Sequence, residues 1–443
     1  MSPTIMAVIL LALVVGGILS RKIPMNFVMF AVPVFCLLGL GYNVFEISGF
    51  ILSKISEIMT SAGWMLLFGL IYFTMLTESG MFDTIINGVV TLVGERMNVV
   101  VVMIMTTIIG ALAYLTASMS TAYLICFPIM IPMFKKFNIK REYAFIICQT
   151  AMAAVCFLPW GIGVVNSSIM AGCDPTELAA ASIPWGLCFI PAIILQWLYF
   201  AWRHKKENGT LGLPEESAML KVKTEDVKEE KQNARPKLFW FNLIVFIAAL
   251  VSLAVFKLPS YLIFLTASIV TAMVNYPNNF GEIWNKAGLT FFNVLIMLLA
   301  ICFYLAAFNA APADGSRLSM VNALAQAMTG ILPEFLMRYM YIIFLFLCVP
   351  IIYFVPYQIY NTMYPLFISV GASFGIGGIA IIAPFVCNLA LATGVTPMNS
   401  STYVGCALCE VEPEKFCKYG AVIMFITNAL VMVVAVLTGV LRI

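Results

Sequence analysis

The residues in this chain that could do chemistry inside a membrane are neutral. Two stretches, 166–173 (NSSIMAGC) and 399–406 (NSSTYVGC), share the pattern NSSxxxGC, and each follows an apolar run broken by Gly and Pro. The first break reads Pro159-Trp-Gly161-Ile-Gly163 and the second Ala392-Thr393-Gly394-Val395-Thr396-Pro397. Gly and Pro inside an apolar run free backbone groups that hydrocarbon cannot satisfy, so such backbone is stable only when buried in protein or lining a cavity. Beside the breaks stand Asn166 and Ser167 in one stretch and Thr393, Thr396, Asn399, Ser400 and Ser401 in the other. Their amides and hydroxyls, with the partial positive charge of helix starts, suit a small anion, and the freed carbonyls suit a monovalent cation. A single intramembrane Ser or Thr ordinarily packs or bonds to the preceding turn. Two matched clusters, each after a break, point instead to a binding site.

The elements that must position these residues follow from composition. With 62% hydrophobic and 10% charged residues over 443 positions and a mean hydropathy of +1.01, the chain is an all-α polytopic membrane protein. Full crossings are predicted at 3–20, 24–42, 62–79, 142–172, 179–202, 238–256, 259–276, 286–310, 376–406 and 419–441. Two segments differ. Residues 97–134 have a polar middle at Thr116-Ala-Ser118-Met-Ser120-Thr121 and cations at both ends, the pattern of a re-entrant hairpin. Residues 335–374 repeat it, with a polar middle running from Val355 through Asn361 and Thr362. The first run, from Thr4 to Leu19, has no basic residue before it and no clear cleavage site, and is read as a retained helix.

With the N-terminus outside, nineteen of the 24 Lys and Arg fall on the inner side, among them Lys135, Lys136, Lys140, Arg141, Arg203, Lys415 and Lys418. The chain then divides into a first repeat at 1–202, a polar cytoplasmic linker at 203–237 and a second repeat at 238–443. Each half offers two helices, a third with an amphipathic tail, a hairpin, a broken helix and a closing helix. The first half starts outside and the second inside, so the expected relation is an inverted repeat with alternating access about a midplane site.

Neither hairpin middle nor either break holds an Asp or Glu, which leaves no place for a buried proton relay of the protein's own. His204, the only histidine, follows Arg203 in the polar linker and reads as a solvated side chain. Glu78 and Asp83 lie near a helix end, where water accounts for them. The cysteines lie mostly inside apolar runs without CxxC spacing and read as packing residues, while Trp64, Trp185 and Trp240 sit near span ends and read as interfacial anchors. Nothing matches a P-loop, HExxH or GxSxG, which argues against a pump or an enzyme. The mild net charge of +3, carried in loops, argues against nucleic-acid binding.

The stretch from Trp64 (WMLLFGLIYFTMLTESGMFD), the hairpin after it, Phe157-LPWG followed by Cys173-DPTEL, and Gly394-VTP with Ser401-TYVG resemble the citrate:proton symporter family of the ion-transporter superfamily. The resemblance is strongest at 62–186. It implies transport of citrate, often as a complex with a divalent metal. It also implies a site lined by Ser118, Ser120 and Thr121, by residues 159–163 including Gly161 and Gly163, and by Thr396, Pro397, Ser401 and Thr402. The family further implies acidic residues in the first hairpin tip, in an LDGDG-like segment, where this chain reads Leu115-Thr-Ala-Ser-Met119. Because divalent cations prefer charged oxygens, neutral oxygens here suit Na⁺ or an uncomplexed anion.

The sequence therefore predicts a multi-pass transporter of the inner (plasma) membrane, not an enzyme, that carries a small organic anion such as citrate by cation-coupled symport. The alternatives are a Na⁺-coupled carrier of another carboxylate or a sugar acid, and a passive channel. A channel would need a continuous polar stripe, whereas polarity here is confined to clusters. No cofactor is expected, the coupling ion is left open between Na⁺ and H⁺, and no metal ligands are assigned. The partners are a small carboxylate and lipid, and the two leading helices of each half suit a homodimer scaffold.

Overall fold

The computed structural model describes residues 1–20, 22–82, 84–85, 98–212, 234–254, 256, 258–312 and 317–441. Within them the secondary structure is helical throughout. Asp83 and most of the linker lie outside the described residues, as does most of the amphipathic tail expected after residue 79.

The order of elements in the first half recurs in the second. Helices Pro3–Ser20 and Met25–Gly39 are matched by Phe239–Ala254 and Ser260–Asn275. The third element is longer than its apolar run. Val44–Ile58 continues through a π-helical turn, Met59–Gly63, into Trp64–Glu78, and its counterpart Phe280–Asn309 spans 30 residues. The early start has a sequence signal that apolar length does not register. The Asn43 backbone N–H donates to Glu46 Oε2 (2.8 Å) and the Glu46 backbone N–H to Asn43 Oδ1 (2.9 Å), a reciprocal cap. In the second half the tail is the helix Met320–Ile331, capped by Ser319.

Each half then folds a hairpin. The first consists of Val99–Ala113 and Met119–Lys136; the second pairs Gln358–Ala372 with an arm in three pieces, Glu334–Arg338, Met340–Phe346 and Cys348–Phe354. The broken helices follow as Arg141–Ala154 with Ile162–Ala171 and Gly378–Thr393 with Ser400–Cys409. The closing elements are Pro175–Leu187 with Phe189–Asn208, and Pro413–Leu437.

The halves pack reciprocally. Phe280–Asn309 lies against Met25–Gly39, and Trp64–Glu78 against Ser260–Asn275. The second arm of each hairpin packs on the second piece of the other half's broken helix: Met119–Lys136 on Ser400–Cys409, and Gln358–Ala372 on Ile162–Ala171. Small residues permit the closest approaches, as membrane helix packing requires. A Cβ on Gly110 would stand 3.0 Å from Cys148 Sγ and 3.3 Å from its Cα. All twelve cysteines are free, and all but Cys173 are buried.

Four helices among the described residues are long and apolar enough to cross a bilayer singly: Val99–Thr116, Pro175–Asn208, Pro236–Leu253 and Pro413–Leu437. Large apolar side chains such as Phe45, Trp240 and Met273 face outward. The protein is a polytopic α-helical membrane protein.

Two expectations are corrected. His204 is buried, because the closing helix runs on to Asn208 and turns the ring inward, within 3.1 Å of the Asn208 amide nitrogen. Trp185 is also buried, 3% exposed, while Trp64 and Trp240 do face outward at 46% and 69%. The neighbour of Trp185, Gly186, abuts the Ala154 carbonyl and the Phe157 ring, which draws this face of the helix into the protein.

Candidate functional site

The two breaks and two hairpin tips surround one cavity of about 370 Å³. Four helices begin at its wall, through Ser118 and Met119, Ile162 and Gly163, Tyr357, and Asn399. Each start adds partial positive charge, so the cavity favours an anion although none of its lining side chains among the described residues is charged.

The first tip is built by Ala117, which takes a left-handed conformation (φ 58°), and by Ser118, whose Oγ accepts from the Thr121 N–H (3.3 Å) and hydroxyl (3.0 Å). Trp160 Nε1 donates to the Leu115 carbonyl (3.1 Å), tying this tip to the first break. There the Gly161 N–H returns to the Leu158 carbonyl (2.8 Å), and a Cβ on Gly161 would lie 3.0 Å from that oxygen. The tight turn therefore accounts for this glycine. The helix Ile162–Ala171 begins without a side-chain cap.

The second break is tied down by its own polar side chains. Thr396 Oγ1 donates to the Ile352 carbonyl (2.6 Å) and accepts from the Met398 N–H (3.1 Å). Asn399 Nδ2 and Thr402 Oγ1 both donate to the Thr393 carbonyl (3.1 Å each), and Asn399 Oδ1 caps the next helix at the Ser401 N–H (3.3 Å). The Pro397 carbonyl accepts from the Tyr403 hydroxyl (3.0 Å). These bonds satisfy groups that the interrupted helix leaves orphaned.

Of the residues proposed from the sequence, Ser118, Ser120, Gly163, Asn166, Ser167, Asn361, Thr393, Asn399 and Ser401 line the cavity. The Ser401 Oγ is buried with no hydrogen-bond partner among the described residues. Thr121, Gly161, Thr362, Gly394 and Thr396 are not in the lining, and the Ser400 side chain lies outside what the structure describes. Thr362 is fully buried; its hydroxyl donates to the Ile359 carbonyl (2.7 Å) and its carbonyl accepts from Tyr304 (2.7 Å). Gly394 packs against Gln149, and Ser400 begins its helix. Sequence reasoning missed Tyr114, Met119, Cys156, Tyr357 and Phe385 in the lining. The signal for the two tyrosines was their place at matched hairpin tips. Among the described residues no group of three or more His, Cys, Asp and Glu side chains could hold a metal. Glu78 pairs with Lys286 away from the cavity.

Far from the cavity, the residues expected on the cytoplasmic side meet in an ionic cluster. Glu410 pairs with Lys135 (2.7 Å) and with Arg141, and Glu207 with Lys140 (2.7 Å) and Arg203 (3.4 Å).

A family model described as Citrate transporter matches residues 4–400. The chain belongs to the citrate transporter family. Three proteins of Bacillus subtilis (strain 168) are similar to it. A Mg(2+)/citrate complex secondary transporter is 25% identical over 266 residues, 59% of either chain. A citrate transporter is 24% identical over 370 residues, 81% of either chain, and the uncharacterized transporter YraO 22% over 419 residues, 93% of this chain and 92% of that one. These relatives are transporters, so the protein is a multi-pass transporter of the plasma membrane and not an enzyme.

Proposed function

We propose that the protein carries citrate or a closely related small carboxylate, by alternating access of two inverted halves and in symport with Na⁺ or H⁺. The observation that carries this reading is the uncharged cavity onto which four helix starts converge. Backbone N–H groups and helix ends can bind carboxylates without a fixed cation, and the same site can release them when it opens to the other side. The names of two relatives, a citrate transporter and a Mg(2+)/citrate complex transporter, support the substrate class.

Among the described residues the lining holds no carboxylate, so a divalent metal in it would rely on neutral oxygens and on the substrate's own charge. The reading is therefore of an uncomplexed anion whose transport continues without divalent metal. Initial-rate uptake of labelled citrate into proteoliposomes tests this in EDTA, with added Mg²⁺, and with Na⁺ replaced by choline at two pH values. Uptake that persists in EDTA and falls on removal of Na⁺ or of the proton gradient is expected. Uptake lost in EDTA and restored by Mg²⁺ alone would show that a metal complex is the cargo. Absence of counterflow would indicate a channel.

A further inference from the structure

One amide side chain stands beside Thr150 in the apolar middle of a helix, one layer behind the cavity wall. Gln149, in Arg141–Ala154, is fully buried and does not line the cavity. Its Oε1 accepts from the hydroxyl of Tyr123, in the cavity-facing arm of the first hairpin, and its Nε2 donates to the carbonyl of Ala390, in the last turn before the second break. That carbonyl is one of those left without an intrahelical N–H when the helix stops. Gly394, four residues further on, presses against the same amide, and a Cβ there would overlap the Gln149 side chain. Met119 and Thr393, both in the lining, close the group: Met119 Sδ is 3.5 Å from Thr393 Oγ1 and 3.9 Å from Gln149 Nε2.

We propose that Gln149 is a positioning residue that fixes the first hairpin and the second break, parts of opposite halves, at one spacing across the cavity. Three observations converge on it. An amide at this depth is costly unless its hydrogen bonds are made, and here both ends are engaged. The two bonds run to different halves of the chain, so neither element can shift alone without breaking one. The glycine at 394 is then required by the amide and not by a ligand, which accounts for a residue the sequence marked as part of the site and the cavity leaves out. The inference rests on the cavity being where substrate binds.

The test uses the full-length protein in proteoliposomes with labelled citrate. Gln149→Leu, which keeps bulk and removes both bonds, should raise KM about tenfold, the scale on which an unmade buried hydrogen bond acts, with little change in the maximal rate. Tyr123→Phe should raise KM by less. Gly394→Ala should impair uptake, and Gln149→Ala combined with Gly394→Ala should transport better than Gly394→Ala alone, because the smaller side chain makes room for the added methyl. A parental KM in Gln149→Leu, or a double variant no better than Gly394→Ala, would overturn the proposal. A loss of maximal rate in Gln149→Leu with KM unchanged would also count against it, since that is what a purely structural role predicts. If the parent protein moves no carboxylate, the functional reading fails separately. The spacing claim is then decided by melting temperatures in detergent, where the double variant should exceed Gly394→Ala, and the reverse order would refute it.

Discussion

Two pairs of helices meet at the cavity, and they are held differently. In one pair, Met119–Lys136 against Ser400–Cys409, both helices begin with a side-chain cap, from Ser118 and Asn399. Gln149 braces this side from behind, and at the far end Glu410 ties the two helices through Lys135 and to Arg141. In the other pair, Ile162–Ala171 against Gln358–Ala372, neither helix has a side-chain cap. The second of these draws Ile359 and Tyr360 N–H groups into a tight turn at Pro356 and Tyr357, whereas Ile162 and Gly163 open the first directly on the cavity. A capped start has spent its donors on its own chain, and an uncapped one keeps them for a ligand. The first pair is thus the more tightly held, and the start at Ile162 is the one that faces the cavity without a side-chain cap.

The sharpest way to break this contrast is to remove the two matched asparagines. Asn166→Ala, on the uncapped helix, should raise KM for uptake about tenfold or more and lower the melting temperature less than Asn399→Ala does. Asn399→Ala should lose uptake and also melt earlier, because the cap and the bond to the Thr393 carbonyl go together at about 1 kcal/mol or more. Equal losses of stability in both variants would erase the distinction.

Thr396→Val comes next. It removes the bond to the Ile352 carbonyl, leaves that oxygen buried, and should destabilise the protein by about 1–3 kcal/mol in chemical or thermal unfolding, with KM affected less than by Asn166→Ala. Gly163→Ala sharpens the comparison with opposite signs. The new methyl would sit 3.9 Å from Cys156 Sγ, an ordinary contact, and alanine favours the helix by about 0.5–1 kcal/mol. The variant should be as stable as the parent or more so, yet bind substrate several-fold more weakly because the methyl narrows the wall.

The smallest effect is expected at the exposed ionic tie. Hydrogen bonding to Lys135 holds the Glu410 carboxyl below the ordinary glutamate value. A carboxyl depressed by folding adds stability that is fully present above its unfolded pKa of about 4.3 and fades as pH falls through the folded value. Glu410→Gln should therefore lower the melting temperature slightly at neutral pH, and the difference should shrink below about pH 4.3 and close once the pH is below the lower folded value. A difference that persists there would mean that the contribution is not ionic.

The breaks, the hairpins and the polar tips were legible because Gly, Pro and clustered hydroxyls stand out against apolar runs. What those runs hid was single side chains. Gln149 and Phe385 leave no periodic trace, since helices buried on every side show no amphipathic pattern. Hydroxyls misled in the other direction. Thr362 and Thr396 look like Ser401 in sequence, but they bond to nearby carbonyls, and only the fold shows which oxygen is left facing space. Charge was misleading at His204, where polar sequence neighbours suggested water while the extended helix turned the ring onto protein.

The twelve free cysteines have a practical consequence. Eleven are buried, and among these Cys156 lines the cavity, 3.1 Å from the Tyr114 hydroxyl. Thiolate chemistry needs water and access, so packed thiols react slowly while one on a cavity wall reacts when the cavity fills. The alkylation rate at Cys156, followed by mass spectrometry with and without substrate, thus clocks how often the pathway is wet, without any engineered label.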